Sequence, residues 1–356
     1  MNIDQFADVT SSCRFCFMCR HLSATANVTF RECDTARGHA LMADRVRLHP
    51  EALKDADFIK AVYDSDLSGA NRFHCDGYHA GKGYDEIGLQ LALRRDIVEA
   101  GLAPDNVKAL VETLKKTAKW RLSAPGPVAY FVDPGTAARP SVQEAVERLL
   151  SLAGVPFGIV TGGGIGKPIL ALGFEKDGVA VMRKFAAFLD ESGVKTLLTS
   201  SPAVVHALKV EFPEAGIKLP CEVMLVGEHL AGLAEQGRIA FAREFGKASV
   251  LPSDYRKNYL RSDGLDALYR CLGVQPVPFG TNAEESYTAG EGALVLGVLN
   301  PALVEKLAAR VARFADAEVP VIVESPHTAL ALEKAGMRVC TVEEAAAACA
   351  ASTACK

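Results

Sequence analysis

Three cysteines near the N-terminus follow one another at three-residue steps, as Cys13, Cys16 and Cys19. Such a C-x2-C-x2-C run is the usual opening of a motif whose thiolates bind a cubane iron–sulfur cluster. The cluster needs a fourth thiolate from elsewhere in the chain. Cys75, much further along, is the residue that we expect to supply it.

The choice of Cys75 depends on positions where cysteines are missing. In the bacterial two-cluster ferredoxin pattern a fourth cysteine follows the triplet and ligates the other cluster. Ser23 stands at that position here. The same spacing laid over residues 65–75 puts Ser65, Ser68 and Asn71 where three further cysteines belong, and only Cys75 remains. In this crossed arrangement the fourth cysteine of each motif binds the cluster of the other motif. One ligand set, Cys13, Cys16, Cys19 and Cys75, is then complete. The other set is replaced by Ser23, Ser65, Ser68 and Asn71.

The sequence therefore predicts one [4Fe-4S] cluster, bound by Cys13, Cys16, Cys19 and Cys75. Two other arrangements use the same triplet. A zinc ion held by the triplet with His21 or Cys33 is one of them, because C-x2-C pairs often bind zinc. A cluster with Cys33 as its fourth ligand is the other. Ser65 and Ser68 are expected to cap turns rather than bind iron.

Composition limits the class of protein. The 356 residues carry a net charge of −4, and 49% of them are hydrophobic, which is typical of a globular protein without affinity for nucleic acid. Neither a signal peptide nor a membrane-spanning run is evident, so we expect a cytoplasmic protein. Ten cysteines in that setting indicate reduced thiols or metal ligands rather than disulfides.

Three regions are expected along the chain, over residues 1–124, 125–246 and 247–356. The first has helical patterns over residues 51–63, 84–101 and 106–118 and no clear strand. It ends in a Pro/Gly linker near residues 123–127. Strands and helices then alternate, with strands at 128–132, 157–161 and 195–199, which predicts βαβ units and a parallel sheet.

The second α/β region repeats the first. The stretch Leu152–Gly158 recurs as Leu272–Gly280, and the pair Ser201-Pro202 recurs as Ser325-Pro326. Each Ser-Pro pair follows an apolar strand. The fold class is therefore predicted to be α/β, with a helical ferredoxin-like domain followed by two α/β lobes related by a pseudo-twofold axis.

This order resembles the iron–sulfur subunits of glycolate oxidase, anaerobic glycerol-3-phosphate dehydrogenase and heterodisulfide reductase, which carry tandem cysteine-rich (CCG) domains. The resemblance covers essentially the whole chain. It implies electron transfer through the cluster between an acceptor and a flavoprotein dehydrogenase subunit or an electron-transfer flavoprotein. It also implies FAD or FMN on that partner, and a hetero-oligomer in which this chain is a non-catalytic subunit.

At every position where the lobes of the family have a cysteine, this chain has another residue. In lobe one these positions fall at residues 133–135, 164–166 and 201–204, and in lobe two at residues 253–255, 285–292 and 325–328. With no lobe cysteine left to bind a second type of cluster, the lobes are interpreted as a retained scaffold. The alternatives are a purely structural cluster, or an oxidoreductase that binds flavin or substrate between its own lobes.

Two loops of the lobes have a possible binding role. The glycine-rich run 161–167 fails the P-loop pattern, because Thr161 replaces the first glycine and Pro168 replaces the magnesium-binding hydroxyl residue. It is either a backbone anion site or a tight strand–helix turn. The polar run 282–292 is either a cofactor or partner contact or a plain surface loop. His206 and His327 are interpreted as packing or capping residues.

Overall fold

The protein is a mixed α/β structure with two sheets of mostly parallel strands, as the sequence predicts. A computed structural model describes residues 1–13, 17–75, 85–280 and 287–350. Cys16 and part of the polar run 282–292 lie outside these ranges. Within them, no helix is both long enough and apolar enough to cross a membrane.

The N-terminal domain is built from short helices around a core that includes Ile3, Val46 and Leu93. Thr35 and Asp55 each begin a helix, because their side chains accept hydrogen bonds from backbone N–H groups of the first turn. The helices are α1 (Ala7–Ser12), α2 (Met18–Leu22), α3 (Ala24–Thr29), α4 (Ala36–Leu48), α5 (Ala56–Asp64), α6 (Arg72–Cys75), α7 (Glu86–Glu99) and α8 (Asp105–Thr117), with 3-10 turns at Asn2–Phe6, Glu32–Asp34 and Pro50–Lys54.

Lobe one has a five-stranded sheet in the order β1-β3-β2-β4-β5, and β1 alone is antiparallel. Its strands are β1 (Trp120–Leu122), β2 (Val128–Val132), β3 (Gly158–Gly162), β4 (Thr196–Thr199) and β5 (Glu222–Leu225). Its helices are α9 (Pro134–Ala137), α10 (Pro140–Leu152), α11 (Lys167–Ala171), α12 (Glu175–Ser192), α13 (Pro202–His206), α14 (Phe212–Glu214) and α15 (Val226–Glu235), with a π-helical turn at Ala207–Glu211.

Strand β1 corrects the expectation that the first region has no strand. It precedes the Pro/Gly linker, yet it pairs with β3, with Trp120 opposite Gly162 and Leu122 opposite Val160. The indole Nε1 of Trp120 also donates a 2.9 Å hydrogen bond to the carbonyl oxygen of Gly163. The sheet of lobe one therefore begins before the linker that we took as its boundary.

Lobe two has a four-stranded parallel sheet in the order β7-β6-β8-β9. Its strands are β6 (Gly246–Leu251), β7 (Val274–Pro276), β8 (Val321–Val323) and β9 (Val339–Thr341). Its helices are α16 (Asp266–Cys271), α17 (Leu296–Leu299), α18 (Pro301–Ala312), α19 (Pro326–Lys334) and α20 (Val342–Cys349), with a π-helical turn at Tyr255–Leu260 and a 3-10 turn at Glu291–Ala293.

The two sheets share one connection pattern once β1 is set aside. In each lobe the second strand lies on one side of the first strand, and the third and fourth lie on the other. The repeated stretches at Leu152 and Leu272 both lead from a helix into the second strand, and both Ser-Pro pairs follow the third strand. One hydrophobic cluster joins the lobes, since Leu268 and Val342 belong to the same buried cluster as Phe131 and Phe185, and lobe two has a second cluster of its own.

Candidate functional site

Three of the four predicted ligands lie together in the N-terminal domain. Cys13 directly follows α1, Cys19 lies within α2 and Cys75 ends α6. Cys19 is buried, with 3% of its surface exposed, and it belongs to the core cluster against which the half-buried Cys13 and Cys75 pack. Helix α2 packs against both α4 and α6. The fourth predicted ligand, Cys16, lies outside the described residues.

The surroundings of Cys19 are set by the start of α4. The backbone N–H of Arg37 donates a hydrogen bond to the thiol of Cys19, while burial raises the pKa of that thiol to about 11. The negative charge that Cys13 can carry also raises the pKa of Cys19. The side chain of Arg37 pairs with Glu32 and stacks 4.3 Å from the ring centre of Phe17.

Cys33, the rival fourth ligand, lies in a polar network of its own. Its sulfur accepts hydrogen bonds of 3.1 Å and 3.3 Å from the guanidinium of Arg31, and its thiol lies 3.7 Å from a carboxylate oxygen of Asp34. Burial raises its pKa. These contacts hold Cys33 as a structural thiol beside Arg31.

A single-metal site is not evident in the parts of the chain that are described. Within 1–13, 17–75, 85–280 and 287–350, no three His, Cys, Asp or Glu side chains converge so that they could share one ion. A zinc ion needs such convergence, because all its ligands meet at one atom. In a cubane each cysteine binds its own iron, so the sulfurs surround the cluster instead. The cubane at Cys13, Cys19 and Cys75 therefore remains a prediction from the spacing.

The four replaced ligand positions also come together. Ser23, Ser65, Ser68 and Asn71 all line one small cavity of about 10 Å³ inside the N-terminal domain. We call it the vestigial cavity. Ser65, Ser68 and Asn71 are buried, although they are polar. The convergence of four residues chosen only by ferredoxin spacing supports the crossed ligand assignment.

Oxygen-bearing side chains fill the vestigial cavity. Asp66 accepts hydrogen bonds from the hydroxyl of Thr25 at 2.7 Å, from the backbone N–H of Thr25 at 3.1 Å, and from the backbone N–H of Ser68 at 2.9 Å. His39 lies 2.5 Å from Glu86 through its Nδ1. A volume of about 10 Å³ admits at most one water molecule. The residues present therefore do not fit a second cluster.

In lobe two, the positions that the resemblance assigns to cysteines form a buried network around Glu291. The hydroxyl of Ser253 and the backbone N–H of Asp254 donate to its carboxylate at 2.8 Å and 3.0 Å. The hydroxyl of Thr328 does so at 3.3 Å, and Ser325 also donates. Glu291 thus fills the space at the carboxyl edge of the lobe-two sheet, between the ends of β6 and β8.

Asp254 is the second carboxyl group of this network. The hydroxyl of Thr288 and the backbone N–H of Gly292 both donate to it. Burial raises the pKa of Asp254 well above its usual value, and the nearby charge of Glu291 raises it further. Burial also raises the pKa of Glu291. The pair therefore has a strong tendency to hold a proton.

In lobe one, the corresponding positions remain open. Asp133, the glycine run 162–164 and Ser201 line a cavity of about 790 Å³, which Leu294, Val295 and His327 of lobe two close from the other side. We call it the interlobe cavity. Asp133 caps α9 by accepting hydrogen bonds from Thr136 and from the backbone N–H of Gly135. Its burial raises its pKa.

The glycine-rich run is a tight strand–helix turn. The backbone N–H of Gly163 donates to the carbonyl oxygen of Lys119, and a side chain at Gly163 would collide with the carbonyl oxygen of Thr117 at 2.1 Å. Lys167 turns inward, pairs with Glu211 and lies 3.0 Å from His206 Nδ1. This lysine is therefore bound by groups of the protein itself, whereas the lysine of a P-loop binds the phosphates of its ligand.

Sequence reasoning missed Arg37, Glu211 and Glu291, because their partners come from distant segments and no local spacing marks them. His206 packs as expected, against Tyr255 and Lys167. In comparison with known proteins, the chain matches no protein-family model and no curated protein at a significant level. The family resemblance therefore remains an expectation from the motifs.

Proposed function

We propose that this chain is an electron-transfer iron–sulfur protein that binds one [4Fe-4S] cluster through Cys13, Cys16, Cys19 and Cys75. The observation that carries the proposal is the pairing of two sites in one domain. Cys13, Cys19 and Cys75 pack on a common core, and the four replaced positions line a separate, filled cavity. Bound at the cysteines, the cluster supplies reversible one-electron transfer.

The residues around the cysteines suit this role. The Arg37 N–H that donates to Cys19 stabilises negative charge on the sulfur, and hydrogen bonds to cluster sulfurs are one means by which proteins set a reduction potential. Burial of Cys19 excludes water from one side of the site. All cysteines in the described residues are free thiols, which agrees with a reducing compartment such as the cytoplasm.

The ligand loop also reaches the surface. Phe17 and Met18 lie between the second and third cysteines of the triplet, and 73% and 46% of their surfaces are exposed. Exposed apolar side chains beside a redox site favour contact with another protein. We propose that a flavoprotein, carrying FAD or FMN, docks here, since a flavin accepts two electrons from a substrate and releases them one at a time.

The experiment starts from the complex that co-purifies at native expression level. Its flavoprotein is separated, reduced with dithionite, freed of excess dithionite by anaerobic gel filtration and mixed with the oxidised chain, and the visible absorbance of the cluster is followed. We expect rapid bleaching with the wild-type chain and none with the Cys16→Ala chain. Slow bleaching with Phe17→Glu, but not with Val298→Glu, would locate the docking surface, because Val298 is a comparably exposed residue on α17.

If physiological turnover continues at full rate in the Cys16→Ala complex, electron transfer through this site is excluded. The cluster would then serve only to stabilise the N-terminal domain, and its loss would lower the melting temperature without changing the rate. Measuring both quantities on the same variant separates the two functions.

A further inference from the structure

The interlobe cavity lies at the place where open α/β sheets bind ligands. Strand β2 is the first parallel strand of lobe one, and the chain runs from it to β3 on one side and then to β4 on the other. Ligands of such sheets bind beyond the carboxyl ends of the strands, at the point where the order reverses. Asp133 follows β2 and Ser201 follows β4, and both line the cavity.

The two lobes treat this position differently. In lobe two the corresponding point, between the ends of β6 and β8, is filled by Glu291 and its hydroxyl partners. In lobe one the glycine turn after β3 brings no side chain into the space, and about 790 Å³ remains open. Ligand pockets commonly have volumes of about 300–1,000 Å³. Glu291 therefore fills this position in lobe two, whereas lobe one has room for a small molecule.

The lining of the interlobe cavity is mainly apolar. Phe131, Ile165 and Val204 come from lobe one, and Leu294 and Val295 come from lobe two. Such walls favour an apolar body over a hydrated ion, because they offer few groups to replace the water of a charge.

Two cations stand at the edge of this apolar space. Lys116 and Lys119 line the cavity, are exposed, and form no ion pair with any described residue. Their neighbour Lys115 differs, since it pairs with both Glu112 and Asp177 at 2.9 Å. An anionic group on the occupant would complement these two lysines, which no described residue neutralises.

His327 adds a polar group to the wall. Its Nε2 lies 2.7 Å from the carbonyl oxygen of Leu294 and must donate to it, so the neutral ring has Nδ1 as an acceptor. That Nδ1 is buried and has no partner among the described residues. A buried acceptor without a donor costs free energy, but this atom has no surface open to the cavity and is not a contact for an occupant.

We infer that the interlobe cavity binds a small organic anion with an apolar body, whose acidic group lies between Lys116 and Lys119. This site is separate from the predicted cluster, because none of the three described cysteine ligands, Cys13, Cys19 and Cys75, lines it. Its occupation is also independent of whether the chain transfers electrons.

The test uses 8-anilino-1-naphthalenesulfonate, an apolar aromatic anion with one N–H donor, on the intact purified protein. Calorimetry gives the stoichiometry and affinity. Trp120, the single tryptophan of the chain, donates its indole N–H to Gly163 at the cavity wall. Energy transfer from Trp120 to the probe therefore reports where the probe binds. We expect one probe per chain and strong quenching of tryptophan emission.

Four variants make the result specific. Lys116→Glu with Lys119→Glu should weaken binding by at least about tenfold, whereas the charge-matched Lys184→Glu with Lys218→Glu should leave it within about twofold. Ala138→Phe should block the cavity, since Ala138 is exposed at its wall, and Ala109→Phe on α8 is its control. Unchanged melting temperatures would show that these variants fold.

The neutral analogue N-phenyl-1-naphthylamine lacks only the sulfonate and should bind at least about tenfold more weakly than the anion. Three outcomes would overturn the inference. These are equal binding of the two dyes, equal binding to the wild type and the lysine reversal, and probe binding without quenching of Trp120.

Discussion

The guanidinium of Arg94, on α7, donates a 2.7 Å hydrogen bond to the carbonyl oxygen of Ala171, at the end of α11 in lobe one. The same side chain also donates to the carbonyl oxygens of Val62 and Ser65, at 2.9 Å and 3.0 Å. Only 1% of Arg94 is exposed. One buried cation therefore joins the end of α5, the vestigial cavity and the first lobe.

Replacing Arg94 with methionine should lower the free energy of unfolding by about 3–5 kcal/mol. Methionine fills part of the space but leaves three buried carbonyl groups without donors, and each such group costs about 1–3 kcal/mol. Urea unfolding measures the change. The adjacent Arg95, whose contact with Glu175 is 3.9 Å long, is the control, and Arg95→Met should cost less than about 1 kcal/mol. Equal costs would show that Arg94 is not the joint between the domains.

Asp254→Asn should maintain or increase stability at neutral pH. Because burial and Glu291 raise the pKa of Asp254, its contribution is most favourable below its ordinary pKa of 3.8 and is lost as the pH rises toward its value in the folded protein. Asparagine keeps the shape and can still accept from Thr288 and Gly292. Between pH 5 and pH 8, the free energy of unfolding should therefore change less with pH in the variant than in the wild type. A loss of several kcal/mol at pH 7 would refute this account of the pair.

Glu211→Gln should have the opposite effect. Lys167 and His206 hold the pKa of Glu211 at about 2, against 4.5 ordinarily, although burial acts the other way. Its contribution, up to about 3 kcal/mol, is present above pH 4.5 and disappears as the pH falls toward 2. The variant should be less stable than the wild type at pH 7, and the two should approach each other in acid. Glu214→Gln, at an exposed neighbouring position, should show no such convergence.

Two features of this structure follow from spacings that repeat in the sequence. The four residues chosen by ferredoxin spacing do line one cavity, and the repeated Ser-Pro pairs do begin equivalent helices. Strand β1 was missed because three residues carry little periodicity and Trp120 becomes a strand only by pairing with Gly162. No local spacing marked the pairing of Lys167 with Glu211, because the two residues are 44 positions apart and on different elements. Glu291 was missed for the same reason.

The vestigial cavity should resist repair. Restoring cysteine at all four replaced positions, Ser23, Ser65, Ser68 and Asn71, should leave the iron content unchanged, because Asp66, Thr25 and His39 occupy the space that a second cluster needs. Iron and sulfide analysis of the reconstituted variant decides this. A doubling of the iron and sulfide contents would show that only the missing thiolates prevent a second cluster from binding.

Cys75 and Cys33 should respond differently to substitution. Cys75→Ala should abolish or severely reduce the cluster, as Cys16→Ala should, because a cubane requires all four thiolates for stable binding. Cys33→Ala should leave the cluster nearly intact, because Cys33 is engaged by Arg31 and Asp34. Visible absorbance per chain after anaerobic purification provides the comparison. The reverse result would move the fourth ligand to Cys33 and remove the basis for the crossed arrangement.

The central claim is that the chain contains a single redox centre, which accepts one electron. A reductive titration of the anaerobically purified protein, combined with iron and sulfide analysis, tests it most directly. We predict about four iron, four sulfide and one electron per chain, as one [4Fe-4S] cluster requires. Zinc without sulfide, or about eight iron with two electrons per chain, would contradict the account.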